Sequence, residues 1–169
     1  DYRYLEDFEP KDPSAPPLPY SSTGGQIGNP GDYTDSVDAD DGATDGFGTS
    51  GHSWFSGGTT STFAFTFDAG VLGRLPTHVG LVWTDVGNVD LAGPLALGHT
   101  DVSFSAFDSS GNLIATVQGM NLGDGSAQGG TDEDRFFGIA SLGGIARVEM
   151  TVSNSTDWEA DHLQFGAIA

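Results

Sequence analysis

Apolar and polar residues alternate through the second half of the chain. Thr62 to Asp68 reads TFAFTFD, with Phe63, Phe65 and Phe67 on one face. His78 to Asp85 reads HVGLVWTD, with Val79, Leu81 and Trp83 in step, and Asp101 to Asp108 reads DVSFSAFD, with Val102, Phe104 and Ala106 in step. Residues 113–118, 135–140, 145–152 and 158–165 continue the pattern. A period of two built from aromatic and β-branched residues predicts half-buried strands. Trp83 and Trp158 keep that period and are expected in the core. Turn signals separate the runs at Asp68-Ala69-Gly70, Ser109-Ser110-Gly111-Asn112, Gly123-Asp124-Gly125 and Gly143-Gly144. The segment FSAFDSSGNLIATVQ predicts a hairpin with an SSGN loop. No segment carries a helical stripe. Seven or more short strands with glycine-rich turns predict an all-β fold, a jelly-roll β-sandwich.

The front of the chain reads differently. Six of the eight prolines fall within residues 1–30. Proline fixes φ and removes a donor, so this stretch is expected to be an extended N-terminal arm, its apolar residues Leu5, Phe8, Leu18, Tyr20 and Ile27 packing onto something. Residues 31–61 are rich in Gly, Asp, Ser and Thr and predict an acidic loop region. Residues 62–169 hold the sandwich core. The length suits a single domain. Residues 1–9 are candidates to pair with the last strand.

Charge narrows the partners. The chain has 24 acidic and 5 basic residues, a formal charge of −19. Such a surface repels phosphate backbones and anionic bilayers, which argues against nucleic acid and membrane partners. No apolar run is long enough to span a bilayer. Cysteine is absent, which removes disulfides, thiol catalysis and Cys-zinc sites. A start at Asp1 without Met fits a mature secreted product, and the Gly/Ser/Thr/Asp richness fits an extracellular one.

Like charges at this density favour a cation. Asp32, Asp35, Asp38, Asp40, Asp41 and Asp45 place six carboxylates within 14 residues. Calcium takes six to eight oxygen ligands in flexible geometry, and Gly42 supplies a bend. Counting from Asp38, the EF-hand glutamate position is Thr49, so the loop is not an EF-hand. A second candidate joins the two ends of the domain: Glu6, Asp7 and Glu9 beside Asp161. Asp161 shares strand parity with Leu163 and Phe165 and is expected to face inward at the rim, where a structural Ca2+ would offset its burial.

The opening YLEDFEP, the strand VSFSAFDSSGNLIATV, the stretch FFGIAS, the segment GGIARVEMTV and the closing DWEADHLQFG resemble the secreted bacterial β-jelly-roll proteins that carry a PEP-CTERM sorting signal. The early acid with a late Asp on the last strand also resembles calcium-binding carbohydrate-binding modules. The resemblance implies a calcium-bound extracellular jelly roll and specifies no ligand. The sorting signal itself does not occur in these residues.

Enzyme signatures are weak. The four histidines, His52, His78, His99 and His162, form no zinc pair at i and i+4, and neither a Gly-x-Ser-x-Gly elbow nor a phosphate loop occurs. Some pair of carboxylates always fits a glycosidase when acids are this numerous. The sequence therefore predicts a non-catalytic calcium-binding structural protein, a surface, matrix or filament subunit that meets copies of itself, with the N-terminal arm as one route. The alternative is a module for extracellular polysaccharide, with Trp54 as platform and Phe55 and Tyr33 beside it.

Overall fold

The computed structural model describes residues 1–11, 14–30, 36–37, 51–86, 99–123, 134–153 and 155–168. Two antiparallel sheets face each other as a β-sandwich. The strands are β1 (Tyr2–Glu6), β2 (Tyr20–Thr23), β3 (Gln26–Ile27), β4 (Trp54–Phe55), β5 (Thr62–Phe67), β6 (His78–Asp85), β7 (Thr100–Phe107), β8 (Leu113–Leu122), β9 (Arg135–Ala140), β10 (Arg147–Val152) and β11 (Glu159–Ala167). One sheet has the order β3-β4-β11-β6-β9, with β1 also on β11, and the other has the order β2-β5-β10-β7-β8. From β5 onward the chain changes sheet at every connection except the β7–β8 hairpin, the wrapping of a jelly roll.

The seven strands expected from the alternation are all present. Their inward residues make the core: Phe63 and Phe65 from β5, Leu81 and Trp83 from β6, Phe104 from β7, Val148 and Met150 from β10, and Leu163 from β11. Trp158 stacks on Phe63 at 3.9 Å with rings 7° apart, and Trp83 lies 5.2 Å from Trp158. The aromatic run of β5 thus meets the tryptophans of the opposite sheet, and such stacking adds to the area that each ring buries.

The N-terminal thirty residues do not stand off as an arm. They supply β1 and β3 to one sheet and β2 to the other. β1 runs antiparallel to β11 from Tyr2↔Ala167 to Glu6↔Leu163. The prolines fall outside these strands, which leaves every strand residue its ladder donor. The Asp68 turn contains a single helical turn, α1 (Ala69–Leu72), because the Asp68 side chain accepts the N–H groups of Gly70 and Val71 as an N-cap and Gly73 closes it at φ 80°.

Candidate functional site

β11 is buried along most of its length, and its first half carries the acids. Glu159, Asp161 and His162 are all buried, as is Asp85, the Cα partner of Glu159 on β6. Asp161 does not face inward with Leu163 and Phe165. It lies opposite Val82, on the outer face, while Ala160 lies opposite Trp83 in the core. The ladder shifts register between Asp161 and Gln164, and His162 takes a left-handed φ of 50° there. This bulge inserts an extra residue and reverses the alternation. Asp161 and Gln164 therefore share the outer face, three positions apart.

The buried Asp161 carboxylate is consumed by local donors. Its Oδ2 accepts the Ser36 hydroxyl at 3.1 Å and the Val37 N–H at 2.9 Å. Its Oδ1 accepts the His162 N–H at 2.6 Å. Ser36 and Val37 are buried in turn. Asp161 thus staples the Ser36–Val37 pair, the uncharged centre of the sequence Asp35-Ser36-Val37-Asp38, onto the outer face of the sheet. His162 Nδ1 is 3.7 Å from Asp161 Oδ2. Here the acid stands between serine and histidine, whereas a hydrolytic triad needs the imidazole between them.

The other end-of-chain acids lie elsewhere. Glu6, on the inner side of β1, is buried; its Oε1 accepts the Phe8 N–H at 3.0 Å and the Lys11 ammonium at 3.1 Å. Asp7 Oδ1 accepts the Glu9 N–H at 3.2 Å and a close hydrogen bond from Lys11. Burial opposes ionisation of Asp7, but the Lys11 hydrogen bond, the Glu9 N–H and the Lys11 charge together outweigh it, so the carboxyl sits below its ordinary range. Burial pushes the Tyr20 hydroxyl far up, and the charge and hydrogen bond of Glu6 push it further. Glu9 Oε1 accepts the His52 N–H at 2.5 Å, and its Oε2 meets His52 Nδ1 at 2.8 Å. Each of Glu6, Asp7, Glu9 and Asp161 is engaged by protein donors, and among the described residues no three His, Asp or Glu side chains form a metal group. Glu6 lies on the inner side of β1 and Asp161 on the outer face of the sheet, so the structure does not bring these two together. Asp32, Asp35, Asp38, Asp40, Asp41 and Asp45, together with Tyr33, lie outside the described residues.

Trp54 is 9% exposed and belongs to the core, 5.6 Å from Phe8 and 5.4 Å from Phe65, with its Nε1–H donated to the Gly24 carbonyl. It presents no open face. Phe55, half-buried, pairs with Glu159 and Gln26. The sequence pattern gave no warning of Asp85 and Glu159, because both sit at strand ends where an acid reads as a turn residue. Ser36 and Val37 carried no signal of their own, since Tyr33-Thr34 and Ala39 are uncharged breaks between aspartates as well.

The fold has a known counterpart. The chain shares it with the K1 cleaved adhesin domain of Lys-gingipain from Porphyromonas gingivalis W83. That crystal structure matches with a TM-score of 0.54 at 14% identity over 100% of both chains. The K2 cleaved adhesin domain of Lys-gingipain gives a TM-score of 0.49 at 11% identity, over 97% of this chain and 99% of that one. The sequence matches no protein-family model and no curated protein. Among the described residues, no helix is long and apolar enough to cross a membrane.

Proposed function

We propose that this chain is a non-catalytic, extracellular adhesion or matrix domain whose 32–45 segment binds calcium. One observation carries the reading. Asp161 holds Ser36–Val37, and so the middle of the acidic segment, against a sheet face where Glu159 and Asp85 are also buried. Concentrating further carboxylates there is costly without a cation. Calcium suits a flexible, all-oxygen ligand set. The shared fold with a bacterial adhesin domain supports adhesion and an extracellular setting. The reversed order of Ser36, Asp161 and His162 supports a non-catalytic role. Contact with copies of itself follows as calcium bridging of acidic surfaces, since β1 to β3 occupy the domain's own sheets.

Thermal melts in millimolar calcium and in EDTA test this, with sedimentation velocity under the same conditions. An ion at a hundredfold its Kd stabilises by about 2.7 kcal/mol. A domain of this size gains about 2–4 °C per kcal/mol, so chelation lowers Tm by about 5–10 °C. An unchanged melt refutes calcium binding, and a monomer in both buffers refutes calcium-bridged assembly.

A further inference from the structure

The other half of the same sheet face is chemically opposite. Beyond the bulge, two cross-strand rows lie side by side on the outer surface. One runs Leu5, Gln164, Gly80, Gly138 across β1, β11, β6 and β9, and the next runs Arg3, Gly166, His78, Ala140. At the usual strand spacing the four strands span about 14 Å. Glycines floor this surface, and Phe136, 59% exposed, lies down on it. A Cβ on Gly80 would sit 2.3 Å from the Phe136 Cζ, and one on Gly138 would sit 3.0 Å from its Cε1. The ring occupies the space of two missing side chains and keeps its other side open. The result is an open trough of about 730 Å³ lined by Arg3, His78, Gly80, Phe136, Gly138 and Gln164.

Charge identifies the occupant. Among the described residues, no Asp or Glu lines the trough, in a chain with 24 acids. Among the described residues, Lys11, Arg74 and Arg147 each hold an acid, and Arg3 holds none. Arg3 and His78 flank Gly166, roughly 10 Å apart at Cα. Of the four strands beneath, β11 and β6 are central, with their backbone groups spent in the ladder, so a ligand lying across this face meets side chains rather than a free strand edge. The available groups are one aromatic face, the exposed Ile168 side chain, one amide, one guanidinium and one imidazole whose Nδ1 already meets the Thr77 hydroxyl at 2.9 Å. That set matches a sugar ring stacked by its C–H face, hydrogen bonds to hydroxyls, and a carboxylate held by the guanidinium fork.

We propose that this trough binds an anionic polysaccharide, with a sugar ring on Phe136, hydroxyls on Gln164 and acidic groups along the chain on His78 and Arg3. The adhesion reading enters only in where such a polymer would be met. Calorimetry on the isolated domain tests the binding directly, so a melt insensitive to EDTA leaves this proposal standing. The probes are an oligogalacturonate, a neutral cello-oligosaccharide of equal length, a sulfated oligosaccharide and poly-glutamate. The oligogalacturonate is expected to bind at least about tenfold tighter than the neutral probe and to weaken with salt. Tighter binding of the sulfated probe assigns sulfate as the acidic group and keeps the site. Phe136→Ala is expected to lose about tenfold, as is Arg3→Glu, whose exposed position leaves the melt unchanged. Equal affinity for acidic and neutral probes, no binding of either acidic sugar, wild-type affinity in Arg3→Glu, or poly-glutamate binding as tightly as the sugar would each overturn the proposal.

Discussion

Replacing Asp161 by asparagine tests whether a buried carboxylate holds the acidic segment to the sandwich. The side chain is 0% exposed, with two donors on Oδ2 and one on Oδ1. Asparagine keeps the shape but turns one oxygen into a donor. Whichever oxygen is replaced, an N–H₂ group then faces an N–H or O–H that has no water to turn to. Hydrogen bonds to charged groups are worth about 1.5–3 kcal/mol, and a donor left buried adds its own desolvation cost. The expected loss is about 2–4 kcal/mol, or about 5–15 °C in Tm for a domain of this size. Urea and thermal melts measure it, and a cycle with Ser36→Ala isolates the Ser36 bond, with a coupling of about 1 kcal/mol. The loss should be equal in calcium and in EDTA, because the staple is made of protein donors. A variant as stable as wild type refutes the reasoning. So does a loss confined to the calcium buffer, which would mean that Asp161 acts through the ion.

Two further expectations concern β9. Burial raises the Asp134 carboxyl from 3.8 to about 6, with Arg135 opposing. A folded value above the unfolded one favours the protonated form, so this contribution is full below pH 3.8 and is lost as pH rises through about 6. Asp134→Asn should therefore stabilise by about 1 kcal/mol above pH 7, after allowance for its partial exposure, with the gain vanishing in acid; pH-resolved urea melts decide, and no gain at high pH contradicts the shift. Gly80→Ala places a Cβ against the Phe136 ring and 2.8 Å from the Phe137 carbonyl. It should cost about 1–3 kcal/mol, with Phe136→Ala relieving part of the cost, and a neutral Gly80→Ala melt would show that the ring does not lie on the glycine.

The strands from Thr62 onward were legible because each buries one face, and burial writes itself into the sequence with period two. β1 to β4 were not. Tyr2–Glu6 does alternate, with Tyr2 and Tyr4 inward, but the acids and prolines that follow it read as an arm. β3 and β4 are two residues each, too short for any period. Asp161 was legible as a residue needing a partner, and its face was not. A bulge is a local choice of backbone that leaves no mark on composition, and His162 in a left-handed conformation is not a residue that announces one. Trp54 illustrates the converse. Surrounded by Gly and Ser in GHSWFSGG it can be read as a platform or as a cap on the core, and it lies in the core beside Phe8 and Phe65.

The bulge in β11 decides which residues beyond Asp161 reach the outer face. β11 has β6 on one side, while its other side is shared by β4 at Glu159–Ala160 and by β1 from Leu163 onward. The register shift falls where that neighbour changes. Strict alternation from Ala160, which faces the core, would send Gln164 and Gly166 inward and Leu163 and Phe165 out. The extra residue instead returns Leu163 and Phe165 to the core, where Tyr4 stacks on Phe165 at 4.8 Å. It also gives the outer face Gln164 and Gly166 beyond Asp161. One irregularity thus divides a single sheet face into an acidic half, sealed by Ser36–Val37, and an acid-free half floored by glycine. The acid-free half is open and glycine-floored because the bulge puts Gln164 and Gly166 there in place of Leu163 and Phe165, which would otherwise fill it.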